Sequence, residues 1–190
     1  GKTVRRSKAP YVLGTSDDKN VHWSPDNDFF YYPGERLRLP NDAEYGDQAF
    51  YEYPAKATGN TFTPSPSEND WYETVKINYC NFHTSTWDKM AEIIRFWASK
   101  GVDGFRCDMV ELVPSEFFQW LIPTMKQEFP DLIFIAEVYV KDLYRKYIEE
   151  VGFDYLYDKS GLYDSLRSIV EHQNSARAIT SNWQFLGDLQ

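Results

Sequence analysis

The chain has 190 residues, 42% of them hydrophobic and 17% aromatic, enough apolar material for a core of ordinary domain size, which excludes a disordered tail. Twenty Lys and Arg stand against twenty-nine Asp and Glu, and the net charge of -9 repels phosphate backbones, arguing against nucleic acid or an anionic membrane as main partner. Six Trp, fourteen Tyr and thirteen Phe exceed what such a core needs, so some rings are expected on a binding surface.

Residues 1–74 are rich in Pro, Asn, Asp, Gly and aromatics, as in His22 to Gly34, and lack sustained helical periodicity. They read as an ordered, loop-dominated segment with short strands, either functional or a self-packed aromatic cluster. Residues 75–190 alternate short apolar runs with amphipathic helices, the pattern of βα units on a parallel sheet. A helix starts near Ser85 or Thr86, with Trp87, Met90, Ala91, Ile94, Trp97 and Ala98 on one face and Gly101 placed to end it. Val102 to Asp108 reads as a strand. A helix over 115–128 follows, with Pro114 near its start and Pro123 expected to kink it. Leu132 to Val138 is the next strand. A third helix runs from an Asp142 cap to Gly152, Phe153 to Tyr157 is a third strand, and a helix over about 161–173 is expected to bury Leu162, Leu166, Ile169 and Val170. Residues 175–190 read as a further short helix. Three barrel-type strands are fewer than a (β/α)8 barrel contains, and such a barrel takes about 250 residues. The expected fold is therefore α/β, part of a TIM barrel with an irregular excursion, a small open sheet being the alternative.

Barrel enzymes carry their chemistry at the carboxyl ends of the strands. Two predicted strands end in an acid, Asp108 and Glu137. Side chains alternate along a strand, so Gly104, Arg106 and Asp108 share a face, as do Ile133, Ile135 and Glu137 on the next strand. Neighbouring strands lie about 4.8 Å apart, near the roughly 5 to 5.5 Å between carboxyl groups that retaining glycoside hydrolysis needs. Arg106 favours an ionised Asp108, whereas Glu137 follows Ile135 and Ala136 with no cation adjacent in sequence, a setting for a protonated acid. Strand-terminal acids also cap helices or pair with arginine, so the pattern alone does not establish catalysis.

Gly101 to Asp108 and Ile135 to Val138 resemble the second and third conserved segments of the alpha-amylase family, family 13 of the glycoside hydrolases. The resemblance implies Asp108 as nucleophile, Arg106 as the residue that orients it, and Glu137 as general acid and base. Trp71 to Tyr79 resembles the family's lead-in to the helix before the nucleophile strand, and residues 1–74 resemble its domain B. The chain then corresponds to an internal fragment holding domain B and about strands 4 to 6 of the barrel. As such it is expected to be incomplete and inactive on its own. The implied substrate is an α-glucan, starch or a maltooligosaccharide.

Some family features are missing. No Asn-His pair ends a first segment, and no His-Asp supplies a third acid; Asp188 has no His before it and is rejected for that role. Glu111 and Leu112 stand where many amylases carry Lys-His, which leaves calcium open, and no other cofactor is implied. Tyr139 could stack on a sugar, with packing as the alternative; Trp23 and Tyr32 in the ring-rich run are further candidate sugar contacts. Asp158 and Ser160 read as helix-capping residues, Cys107 as a buried apolar group, Asp103 as structural, and Glu171 with His172 as a solvated face. Cys80 and Cys107 are too few for a disulfide framework, though one bridge is possible, and with three scattered histidines they make no zinc cluster. No run of about 18 apolar residues is present, and no signal-peptide pattern follows the basic start. An extracellular or periplasmic setting is favoured over a cytoplasmic one. Competing functions are an amylase-like glucanosyltransferase and a non-catalytic carbohydrate-binding protein on the same fold.

Overall fold

The computed structural model describes residues 12–40 and 52–187, grouped in two compact units, 1–93 and 94–190. The first unit is largely irregular. Its regular pairing is β1, Tyr31–Tyr32, antiparallel to β2, Ala55–Lys56, extended by isolated bridges from Phe29 to Ile77 and from Thr58 to Val75. Tyr31, Leu37, Ala55 and Ala57 supply a small apolar centre.

So small a centre cannot hold a long irregular segment, and buried polar side chains take over much of that task. Asp28 is fully buried; its Oδ2 accepts from the Gly14 N–H and from Lys89 Nζ, each at 2.6 Å, and its Oδ1 accepts from the Thr86 hydroxyl at 2.8 Å. Asn78, 1% exposed, donates through Nδ2 to the carbonyls of Ser24 and Asn27, both at 2.9 Å. Asn27 closes the loop before it, exchanging hydrogen bonds at 2.8 Å with the Asp18 backbone. Asp17 accepts from the amides of Asp28 and Phe29 and from the Tyr31 hydroxyl. Burial first, and then Asp17, push the Tyr31 phenol above its ordinary range. Buried polar groups persist only when paired, so these bonds specify the loop path.

Helix α1, Ser85–Ala98, begins where the periodicity predicts, with Trp87 and Ala91 buried and Gly101 left-handed just beyond its end. Trp97, expected on the buried face, is instead half exposed and meets Phe96 edge-on at 5.3 Å.

The second unit is built on a parallel sheet of β3, Gly104–Cys107, β4, Ile133–Val138, and β5, Tyr155–Asp158, with β4 in the centre. Helix α2, Ser115–Glu128, connects β3 to β4 and carries the buried Phe117, Phe118, Leu121, Ile122 and Met125. It continues through Pro123. Phe134, Ala136 and Val138 point to the covered face, where Phe105 stacks on Phe134 and Phe118 meets Phe153. Asp154 joins helix to sheet: its carboxylate pairs with Lys126 and accepts from the Phe134 N–H at 2.8 Å.

Three expectations need correction. The segment after β4 is a 3-10 turn, Lys141–Leu143, followed by a π-helical turn, Lys146–Glu150, and Asp142 makes no cap hydrogen bond. Glu111, remote in sequence, instead accepts from the backbone N–H groups of Tyr139 and Val140 ahead of that turn. The third strand starts at Tyr155, because Phe153 turns into the core as 2% exposed. A π-helical turn, Lys159–Tyr163, precedes α3, Asp164–His172, which buries none of its own residues; Leu166 and Val170 are exposed, since no described element covers that face. Asp158 does cap, accepting from the Leu162 N–H at 2.9 Å. A last helix, α4, spans Arg177–Gly187. No helix among the described residues is long and apolar enough to cross a membrane.

Candidate active site

The parallel register pairs Gly104 with Ile133 and Cys107 with Ala136, so Asp108, the residue after β3, is level with Glu137 near the end of β4. Glu137 is in turn paired with Tyr157 on β5. Alternation puts Arg106, Asp108, Glu137 and Tyr157 on the face opposite the apolar one. Cys107 points the other way, and burial pushes its thiol up to about 12, as expected of a packed apolar group. Both cysteines are free.

Arg106 joins the two acids. One guanidinium nitrogen donates to Asp108 Oδ1 at 2.6 Å and the other lies 2.8 Å from Glu137 Oε1, while the Tyr157 ring lies 5.3 Å from the guanidinium carbon. The absence of a cation next to Glu137 in sequence is therefore misleading: the planar fork of arginine reaches across the strands and serves both carboxyls. A hydrogen bond from Glu137 is the largest influence holding Asp108 below the usual carboxylate range; burial opposes it, and the Arg106 bond and charge reinforce it. The bond to Asp108 is likewise the first cause that raises Arg106. Glu137 is the sheltered member, 13% exposed at its side chain against 67% for Asp108.

Two further groups touch Glu137. The backbone N–H of Met109 donates to Oε2 at 3.3 Å, and the Tyr139 hydroxyl donates to Oε1 at 3.2 Å. Met109 directs its amide there from a left-handed backbone at φ 44°, a conformation uncommon outside glycine, and nothing in its residue type announces it. Tyr157 was legible in principle, since alternation from Tyr155 aligns it once the register of β5 is known. Of the other candidate sugar contacts, Trp23 belongs to the first unit, half exposed, with its indole N–H donating to Asn78 Oδ1 at 3.3 Å. Tyr32 belongs to the same unit; its ring is tilted against His22, and its hydroxyl oxygen is buried without a hydrogen-bond partner among the described residues. Asp188 lies outside the described residues.

No group of three or more His, Cys, Asp or Glu among the described residues is arranged to hold a metal ion. The Leu112 side chain has no metal-binding atom, and Glu111 Oε1 is occupied by two backbone N–H groups.

No family model matches the chain. In sequence it is similar to alpha-1,4-glucan:maltose-1-phosphate maltosyltransferases. That of Rhodospirillum rubrum is 38% identical over 71 residues, 37% of this chain and 10% of that protein. That of Picrophilus torridus is 32% identical over 95 residues, 48% of this chain and 15% of the relative. The chain thus spans a small part of the length of the relatives it matches. In fold it is similar to an Anoxybacillus alpha-amylase, with a TM-score of 0.50 at 18% identity over 64% of this chain and 26% of that one. The chain is thus similar in part of its sequence to maltosyltransferases acting between alpha-1,4-glucan and maltose-1-phosphate, and in fold to an alpha-amylase.

Proposed function

We propose that the protein to which this chain belongs is a retaining enzyme that cleaves α-glucosidic bonds of starch-like or maltooligosaccharide substrates, and that the parallel sheet is an arc of its (β/α)8 barrel. The observation that carries this reading is the bridge from Arg106 to both Asp108 and Glu137 at the carboxyl ends of adjacent parallel strands. One guanidinium reaches both carboxyls, at 2.6 Å and 2.8 Å, which suits the short separation of a retaining pair better than the roughly 6.5 to 9.5 Å of an inverting one.

The roles follow from environment. Asp108, held ionised by the hydrogen bond from Glu137 and by Arg106, attacks the anomeric carbon. Glu137, the sheltered carboxyl of the two, delivers a proton to the glycosidic oxygen as the bond breaks. Arg106, 2.8 Å from Glu137, then stabilises the carboxylate that remains. The ionised Glu137 next takes a proton from the acceptor that opens the glycosyl-Asp108 ester. Water as acceptor gives hydrolysis; a sugar or phosphate gives transfer, the second reading favoured by the maltosyltransferase relatives. Asp108→Asn in the whole protein is expected to abolish turnover of maltooligosaccharide while calorimetry still detects binding. Near-normal turnover would end the assignment, and an unmutated protein that binds without turnover would favour a non-catalytic carbohydrate-binding role.

A further inference from the structure

Tyr139, two residues beyond Glu137 and a candidate sugar contact, is tied to the acid by its own contacts. Its hydroxyl donates to Glu137 Oε1 at 3.2 Å. Its own N–H donates to Glu111 Oε1 at 3.1 Å, and the next N–H, of Val140, donates to the same oxygen at 2.8 Å. Its carbonyl accepts from Ser160 Oγ at 2.6 Å, and Lys159 Nζ lies 5.8 Å from the ring centre. Side chains from the turn after β3 and the turn after β5 therefore hold one residue in the loop after β4. Burial first, then the charge and hydrogen bond of Glu137, keep the Tyr139 phenol above its ordinary range, in keeping with a donor set against a carboxylate.

We infer that Glu111 is a positioning residue for Glu137: by gripping the N–H groups of Tyr139 and Val140 it fixes the Tyr139 hydroxyl on Oε1, so that Oε2 is the oxygen that carries and delivers the proton. Oε1 already takes Arg106 at 2.8 Å and Tyr139 at 3.2 Å, which fills its two lone-pair directions. Oε2 takes only the longer Met109 N–H at 3.3 Å among the hydrogen bonds of the described residues. A carboxyl free to rotate would present either oxygen; one with Oε1 occupied presents Oε2 each time. Preorganisation of this kind matters because small displacements of an acid from the leaving oxygen are costly in rate.

The inference rests on the reading of Glu137 as general acid, and leaving-group dependence separates the two. A maltooligosaccharide needs its departing oxygen protonated, whereas a dinitrophenyl α-maltoside leaves without help. In the whole protein, Glu111→Ala is expected to lower kcat/KM on maltooligosaccharide about 10- to 100-fold. On the dinitrophenyl substrate it should change kcat/KM, which reports the glycosylation step alone, by less than about 3-fold. Glu111→Gln, whose amide oxygen still accepts both N–H groups, should recover most of the loss, and Tyr139→Phe should reproduce the leaving-group pattern with the Glu111 clamp intact. Glu137→Ala is the reference and should show the same pattern more strongly. Equal losses on both substrates for Glu137→Ala would refute the acid assignment itself. The expected pattern for Glu137→Ala, with equal losses or none for Glu111→Ala and Tyr139→Phe, would overturn the positioning role alone. Should Glu111→Ala fail to fold, Glu111→Gln and Tyr139→Phe decide the matter by the same ratio.

Discussion

The two units reach a defined conformation by opposite means. In the second, a parallel sheet and α2 bury Phe134, Val138, Met125 and Phe118 in an apolar layer, and the polar chemistry is confined to the other sheet face. Among the described residues of the first, regular pairing amounts to two short strands and two bridges, and the chain path is held by carboxylates and amides: Asp28, Asp17, Asn27 and Asn78. An apolar layer tolerates many sequences of similar volume, while a buried polar network tolerates few, because each removed partner leaves another group unpaired. The contrast teaches that a stretch with the composition of a loop can be as narrowly specified as a sheet.

Substitutions can break that contrast or sharpen it. Asp28→Ala removes the acceptor for the Gly14 N–H, the Thr86 hydroxyl and Lys89 Nζ, leaving a largely buried ammonium uncompensated. The expected cost is about 3 to 5 kcal/mol in urea unfolding followed by tryptophan fluorescence. A loss below about 1 kcal/mol would mean that the network decorates the first unit without holding it.

Met125→Ala in the apolar layer, at a fully buried site, should cost about 2 to 5 kcal/mol in the same measurement. Because the lesion is one of volume, Met125→Leu should restore most of it. No conservative exchange of that sort should rescue Asp28, since asparagine keeps the volume but loses the charge that Lys89 requires.

Asp154 tests a place where the second unit also uses a carboxylate, partly exposed, to join helix to sheet. Burial acts to raise its pKa, but the Lys126 hydrogen bond and the Phe134 N–H outweigh it and hold the group below its usual range. A carboxyl lowered on folding stabilises the protein above its unfolded value of about 3.9, and that stabilisation is lost as the pH falls through the folded value. Asp154→Asn should therefore cost about 0.5 to 1 kcal/mol near neutral pH, the pair being partly screened by solvent. The gap from the unmutated protein should close on acidification below about pH 4 in thermal unfolding monitored by circular dichroism. A gap independent of pH would remove the carboxylate from the account.

The second unit was the more legible in sequence. Pro114 and the apolar spacing gave α2 its observed bounds, Gly101 and Gly152 marked the ends of helical segments as left-handed residues, and the run ending in Glu137 gave β4. The acids at the strand ends and Arg106 were readable because alternation and parallel register are regular. What escaped depends on partners distant in the chain: Glu111 in place of an Asp142 cap, the reach of Arg106 to Glu137, and the Met109 amide turned inward by a left-handed backbone. The Asp28 network escaped for a related reason. Asp and Asn in a loop announce a turn, and only the fold reveals that Thr86 and Lys89, some sixty residues on, complete their bonding.

The central claim, a covalent glycosyl-enzyme on Asp108, is tested most directly by mass spectrometry of the whole protein incubated with a fluorinated maltosyl fluoride that slows release of the ester. The account predicts one maltosyl adduct on the peptide that carries Asp108, and none in Asp108→Asn. An adduct on another residue, or turnover with inversion at the anomeric carbon and no adduct, would contradict it.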